Sequence, residues 1–250
     1  MRSLRGFFRF FRSAGHAVLG RAREAFTRRH IALTTILIAA FPIFPTIAAT
    51  AESTAPSGHQ RAQTIMIYGD SLSASYGIDP RKGWVSLLQE KLKADGVKVV
   101  NASVSGETTS GGLARFGNDL QKIRPTIVVI ELGANDGLRG LKTVDMQKNL
   151  QGIIAKALAA KVKVVLIGVQ MPPNYGIEYA QQFHDMYATL AAKNKLILVP
   201  FLLEGFADKL ELFQGDRVHP TAAAQPRILE NVLPGIRQAL VGAPRKPASK

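Results

Sequence analysis

Residues 64–73 read TIMIYGDSLS, an apolar run that ends in glycine, aspartate and serine. A short run that contains β-branched residues and no polar alternation is typical of a strand buried on both faces of a sheet, here over residues 64–68. Four more such runs, bounded by Gly, Pro or Asn, follow along the chain: VKVVN at 97–101, TIVVIEL at 126–132, VKVVLIGV at 162–169 and LILVPF at 196–201. Together they predict five buried parallel strands.

Segments of helical length separate the predicted strands. In residues 144–160 the apolar side chains recur at helical spacing and form one face that can pack on a sheet: Leu150, Ile153, Ile154, Ala157 and Leu158. The other predicted helices cover residues 84–94, 111–123, 179–192 and 221–240. Strands that alternate with helices indicate an α/β fold, a three-layer sandwich around a five-stranded parallel sheet.

The composition excludes several classes of protein. The chain has 250 residues, of which 46% are hydrophobic and 20% charged, so it can bury a core and is neither disordered nor fibrous. It contains no cysteine, which excludes a disulfide framework, a Cys-ligated zinc, an iron–sulfur cluster and a thiol nucleophile. No His, Asp or Glu cluster has metal-ligand spacing, and no P-loop or strand-linked Gly-x-Gly-x-x-Gly is present. We therefore predict no metal and no cofactor.

The net charge of +14 is unevenly distributed. Residues 1–51 contain eight arginines and one acid, and their second part, residues 31–51, is uncharged and ends in Ala-Thr-Ala, which fits a cleavage site before Glu52. We predict an export signal. An uncleaved membrane anchor, an Arg-rich transit peptide and a true start further downstream stay open as alternatives. A signal or an anchor places the folded part in the periplasm or outside the cell.

The rest of the chain divides into three parts. Residues 52–63 are small and polar, which predicts a linker; residues 64–240 form the predicted domain, and residues 241–250 a basic tail. The +7 outside the export segment shows no basic stripe with interleaved aromatic residues, so we predict no nucleic-acid partner. We expect a monomer, close to a membrane if the anchor is retained.

Polar residues follow the predicted strands, where ligands bind in a doubly wound sheet. The segments are GDSLS at 69–73, SGETT at 105–109, GAND at 133–136 and, before the last helix, GDRVHP at 215–220. They bring a hydroxyl, a Gly loop, a carboxamide and an Asp-x-x-His pair to one edge of the sheet. On their own, Gly106 could equally be a turn glycine, and Asn135 a turn or cap residue.

A nucleophilic serine at this edge would need a histidine base. Three of the five histidines lie outside the predicted domain: His16, His30 and His59. His184 falls inside a predicted helix, on which its neighbour Asp185 is expected to point elsewhere. Asp216 precedes His219 by three residues, a spacing that lets the carboxylate reach Nδ1 and leaves Nε2 facing a serine. A loop histidine with a capping aspartate is the alternative.

The four segments, in this order and at these strand ends, resemble the four sequence blocks of the SGNH (GDSL) hydrolases. The resemblance covers about residues 64–240, and five stretches are similar to the periplasmic thioesterase I, lysophospholipase and arylesterase group: GDSLSASYG, SGETTSGG, ELGANDGLRG, QMPPNYG and DRVHPTAAAQP. It implies a flavodoxin-like SGNH hydrolase fold. It also implies a serine esterase that hydrolyses acyl esters or thioesters through an acyl-enzyme, without a cofactor.

The resemblance also assigns roles. It implies that Ser71 is the nucleophile, His219 the base and Asp216 the residue that orients the base. The oxyanion hole would consist of the backbone N–H groups of Ser71 and Gly106 and the side-chain amide of Asn135. We interpret Asp70 as structural. The chain departs from the group where Ser75 and Arg217 stand, since the group usually has glycine at the first position and often at the second.

The QMPPNYG loop at residues 170–176 follows the fourth predicted strand at the same edge. Its apolar side chains predict a groove in which Met171, Pro172 and Tyr175 contact the acyl chain of a small-molecule or lipid ester, as the matching loop does in the resembling group. A rigid connector is the alternative. Two other functions stay open: a carbohydrate O-acetyl esterase of the same superfamily, and a surface-bound binding protein without activity.

Overall fold

The computed structural model describes residues 63–241, and the predictions for the export segment, nearly all of the linker and the basic tail concern residues outside this range. Five parallel strands form one sheet in the order β2-β1-β3-β4-β5. The strands are β1 (Thr64–Gly69), β2 (Lys98–Asn101), β3 (Ile127–Glu131), β4 (Lys163–Ile167) and β5 (Ile197–Val199). The predicted fold class is confirmed, with each strand within a few residues of its predicted position.

Residues 63–241 contain six α-helices. They are α1 (Trp84–Leu92), α2 (Thr109–Ile123), α3 (Ala134–Leu138), α4 (Thr143–Ala159), α5 (Ile177–Asn194) and α6 (Gln225–Val241). Helices α1 and α6 pack together, and α2, α4 and α5 pack in a second row. Short 3-10 turns lie at Pro80–Lys82, Pro173–Tyr175, Leu210–Leu212 and Ala222–Ala224. No helix within residues 63–241 is both long and apolar enough to cross a membrane.

The order of the strands indicates where along the sheet a ligand site is expected. The chain leaves β1 towards β2 on one side and later builds β3, β4 and β5 on the other, so the topological switch point lies between β1 and β3. Connections leave the sheet in opposite directions there and open a crevice beyond the strand ends. All five residues of β3 are buried, and its last residue, Glu131, pairs in register with Gly69.

Two helix predictions differ from the structure. Helix α6 begins at Gln225 instead of residue 221, after the Ala222–Ala224 turn. Pro226 explains this start, because proline lacks an N–H and is accommodated in the first turn of a helix. Helix α3 was not predicted, since its five residues are too few for a hydrophobic period to be recognised.

Candidate active site

Ser71 lies in a tight turn just beyond β1. The backbone of this turn is held by hydrogen bonds from Ala74 N to Asp70 O at 2.9 Å and from Tyr76 N to Ser71 O at 3.3 Å. The Ser71 hydroxyl oxygen lies 2.9 Å from His219 Nε2, although 148 residues separate the two along the chain. A histidine at this distance can accept the serine proton.

The loop before α6 holds His219. Its ends pair through Gln214 N to His219 O and Thr221 N to Leu212 O, both 2.8 Å. His219 Nδ1 lies 2.7 Å from one carboxylate oxygen of Asp216. The other oxygen accepts the backbone N–H groups of Val218, at 2.9 Å, and His219, at 3.0 Å.

These hydrogen bonds keep Asp216 charged. The backbone N–H groups of His219 and Val218, followed by the His219 side chain, lower the pKa of Asp216 to about 2. Because a charged carboxylate can only accept a hydrogen bond, the Nδ1 atom that contacts it must carry a proton. In the neutral imidazole, Nε2 is then the unprotonated nitrogen and can act as the base. Tyr76 packs against the imidazole with ring centroids 4.4 Å apart. No sequence pattern had indicated Tyr76.

Two further predicted site residues lie on the loops after β2 and β3. Gly106 has φ of 79° and nothing within 4 Å of the position of a Cβ, so backbone conformation, not space, favours glycine there. Asn135 is the second residue of α3, and its Nδ2 donates to Asp70 at 3.1 Å. Asn135 lines the same cavity as Ser71 and His219, whereas Gly106 is not among the residues of its wall.

This cavity has a volume of about 430 Å³. Ser71, Asn135 and His219 contribute polar atoms to its wall. The rest of the wall is mainly apolar and includes Leu72, Ala134, Leu138, Val169, Met171, Pro172, Phe201, Leu203, Ala207, Phe213 and Val218. Of the three residues predicted to contact an acyl chain, Met171 and Pro172 line this cavity. Tyr175 does not line the cavity. It lies at the surface, and its hydroxyl donates to Leu138 O at 3.5 Å.

A pair of buried carboxyl groups lies behind the serine turn. Asp70 and Glu131 are both fully buried, and Glu131 Oε2 accepts from Ser73 Oγ at 2.7 Å and from Asp70 N at 3.4 Å. A Cβ on Gly69 would lie 2.6 Å from Glu131 Oε2, so glycine is needed for this close approach. Glu131 was missed, although an acid inside the apolar run TIVVIEL was a visible signal.

The two departures from the family pattern share one backbone conformation. Ser75 has φ of 61° and Arg217 has φ of 58°, both in the left-handed region. Glycine adopts this region freely, whereas other L-residues lose about 1–2 kcal/mol. This conformation accounts for the glycine that the resemblance leads us to expect at both positions, and both loops adopt it here with serine and arginine.

His184 lies on the exposed surface of α5. The prediction that Asp185 points away from it was wrong, because Asp185 Oδ1 lies 3.2 Å from His184 Nδ1. Both side chains are exposed and can turn towards each other. Within residues 63–241, no group of three or more His, Asp or Glu side chains could hold a metal ion.

Residues 67–226 match the family model described as GDSL-like Lipase/Acylhydrolase family. The chain is 49% identical over 181 residues to Esterase TesA of Pseudomonas aeruginosa, an alignment that covers 72% of this chain and 90% of that protein. It is 42% identical over 175 residues to an arylesterase of Vibrio mimicus, covering 69% and 88%. Thioesterase 1/protease 1/lysophospholipase L1 of Escherichia coli is 38% identical over 169 residues, covering 68% and 81%.

Solved structures of esterases are also similar to this chain. The crystal structure of TesA superposes with a TM-score of 0.69 at 49% identity, covering 71% of this chain and 99% of that one. A structure of the psychrotrophic esterase EstA from Pseudoalteromonas sp., inhibited by monoethylphosphonate, gives a TM-score of 0.69 at 40% identity and covers 72% and 100%.

Proposed function

The chain belongs to the GDSL-like lipase/acylhydrolase family and is an ester hydrolase, and from this membership we propose that Ser71, His219 and Asp216 form its catalytic triad. One observation carries the proposal: a continuous hydrogen-bonded chain runs from Ser71 Oγ through the imidazole to the Asp216 carboxylate, with distances of 2.9 and 2.7 Å. Membership of a family whose similar members are named esterases argues against the alternative of a binding protein without activity.

The proposed reaction has two halves. In the first, Ser71 Oγ attacks the acyl carbonyl while its proton passes to His219 Nε2, and Asp216 stabilises the imidazolium that forms. The imidazolium then protonates the leaving alcohol or thiol, and the acyl group stays on Ser71 as an ester. In the second half, His219 takes a proton from water while the water oxygen attacks the acyl carbonyl. The bond from the acyl carbon to Ser71 Oγ then breaks, His219 returns the proton to Ser71 Oγ, and the carboxylic acid leaves.

The oxyanion of each tetrahedral intermediate needs fixed donors. We assign this role to the backbone N–H groups of Ser71 and Gly106 and to the side-chain amide of Asn135. Asn135 is partly exposed to the cavity that Ser71 lines. Its amide is uncharged and donates at every working pH.

The cavity supports an acyl group longer than acetyl. Its wall is mainly apolar, and its volume of about 430 Å³ exceeds what an acetyl group occupies. A sugar O-acetyl ester would place a small acyl group in this space and polar hydroxyls against it. We therefore favour thioesters or esters of longer acyl chains, including lysophospholipids, over a carbohydrate O-acetyl ester.

Replacing Met171 with glutamine tests this choice. Met171 is 92% shielded from solvent, and an amide in its place would face the acyl chain with unpaired polar atoms. We expect kcat/KM for p-nitrophenyl octanoate to fall about tenfold, equivalent to ~1.4 kcal/mol, and that for the acetate to change less than twofold. Ile177→Gln, a similar exchange at an exposed site outside the cavity wall, is the control. Equal losses for both esters would assign the loop a structural role.

We also propose that the enzyme is exported and acts outside the cytoplasm. The arginines and the uncharged stretch of residues 1–51 support this proposal. Leu138 and Val218, which line the cavity and are partly exposed to solvent, also suit work close to lipid. Intact mass of the protein recovered from each cell fraction tests it. We expect a chain that begins near Glu52 in the periplasm or medium. A full-length chain in the membrane fraction would indicate an anchor, and one in the cytoplasm would contradict export.

A further inference from the structure

An asparagine in an oxyanion hole must turn the NH₂ group of its amide, and not the carbonyl oxygen, towards the oxyanion. Rotation of Asn135 by 180° about its last side-chain bond exchanges the NH₂ group for the carbonyl oxygen. Only the NH₂ end can stabilise an oxyanion; the carbonyl end would repel it. The proposed role of Asn135 therefore requires a neighbour that selects one orientation.

Asp70 is placed to make this selection. Its Oδ2 accepts one N–H of Asn135 at 3.1 Å, which leaves the second N–H of the same NH₂ group for the cavity. Asp70 is fully buried, and its Oδ1 accepts the backbone N–H of Leu72 at 3.0 Å. Both carboxylate oxygens are therefore engaged, and the side chain has little freedom to turn.

The neighbouring acid favours a charged Asp70. Burial, followed by the nearby Asp70, raises the pKa of Glu131 well above its usual value, so Glu131 carries the proton of the pair. Burial raises the pKa of Asp70 to about 6, and the charge of Asp136 adds a smaller rise. The hydrogen bonds from Leu72 and Asn135 and the charge of His219 lower the pKa but do not offset the effect of burial. Above that pH, Asp70 is a carboxylate and can only accept, so it excludes the flipped amide.

We propose that Asp70 is a positioning residue of the esterase, which acts through Asn135 by fixing the amide so that one N–H points at the oxyanion formed on Ser71. The inference rests on the proposed roles of Ser71 and Asn135. It replaces the interpretation of Asp70 as structural, and it gives the aspartate of the Gly-Asp-Ser segment a part in the reaction. Because Asp70 and Ser71 are consecutive, one turn positions both the nucleophile and its stabilising donor.

A double-mutant cycle tests the inference. Asp70→Asn keeps the shape but can also donate, so it no longer excludes the flipped amide. We expect kcat for p-nitrophenyl octanoate to fall about 10- to 100-fold with KM within about threefold, below the loss of roughly 10²–10³ that follows removal of a whole oxyanion donor. We expect Asn135→Ala to show that larger loss, and Asp70→Asn to change kcat less than threefold when added to Asn135→Ala.

Each other outcome overturns the inference in a recognisable way. An Asp70→Asn loss of the same size in both backgrounds would mean that Asp70 does not act through Asn135. An active Asp70→Asn variant beside an impaired Asn135→Ala variant would mean that the amide needs no positioning. If Asn135→Ala keeps full kcat, the proposed role of Asn135 fails as well. Thermal unfolding separates these effects from misfolding, and the same cycle with Asp70→Ser replaces the first if the asparagine variant does not fold.

Discussion

Replacing Ser71 with alanine is expected to lower kcat by about 10⁴- to 10⁶-fold and to leave the fold intact. The side chain is partly exposed in the cavity, and its one hydrogen bond in the described residues is the contact with His219. Its loss therefore removes the nucleophile without exposing a buried partner. The activity that remains would come from substrate binding and the oxyanion donors. Steady-state kinetics on p-nitrophenyl octanoate measures the loss, and far-UV circular dichroism measures the fold.

A fluorophosphonate probe identifies the reacting serine directly. We expect one label per chain on Ser71 and none in Ser71→Ala. Ser75→Ala is the matched control, because Ser75 lies in the same turn, and we expect it to keep kcat within about twofold. Ser73 is fully buried and donates to Glu131, so a probe cannot reach it. A Ser71→Ala variant with more than a tenth of the activity and a label on another serine would disprove the assignment.

The fold could be predicted because its three central strands, β1, β3 and β4, are mostly buried on both faces, although β2 at one edge of the sheet is only partly buried. Such strands are almost continuously apolar, as β3 is, so they stand out from their surroundings without any alternation. Helix α3 could not be predicted in this way. It depends on Gly133, whose φ of 126° turns the chain from β3 straight into a helix of five residues. That helix carries Asn135, so the sequence indicated a candidate site residue without indicating the helix that holds it.

Local sequence was a good guide to the site where neighbouring residues set the geometry. Asp216 and His219 lie in one loop, and their spacing predicted the contact that the structure shows. Individual contacts between segments that are distant along the chain gave no such local signal. Tyr76 contacts His219 only because the turn after β1 and the loop before α6 meet in the fold. Pairing of Asp70 with Glu131 likewise depends on the register of β1 and β3.

The QMPPNYG loop at residues 170–176 shows that the type of a side chain is a limited guide to its position. Met171, Pro172 and Tyr175 are equally suited to contact an acyl chain, so residue type alone could not separate them. The 3-10 turn at Pro173–Tyr175 lies between the cavity-lining part of the loop and α5. Beyond Pro172, the chain has left the cavity wall, and Tyr175 lies outside it. A turn of three residues, invisible to periodicity, therefore decides which side chains line the cavity.

The second large effect is expected at the base and its partner. His219→Ala should lower kcat about as much as Ser71→Ala, because neither residue of the pair works without the other. Asp216→Asn should keep the loop but cost up to roughly 10⁴ in kcat, since an amide opposite Nδ1 can donate and so favours the wrong imidazole tautomer. With a pKa of about 2, Asp216 stays charged across the pH range of an esterase assay, so we expect that its own protonation does not lower kcat in that range.

His184→Ala is the matched control for both variants. His184 also contacts an aspartate, at 3.2 Å, but that pair lies exposed on α5 and does not line the cavity. A general base needs more than a contact with an aspartate, because its free nitrogen must also face a nucleophile, as His219 Nε2 does at 2.9 Å from Ser71. We expect kcat of His184→Ala within about twofold of wild type. A large loss at His184 together with a small one at His219 would show that the base has been misassigned.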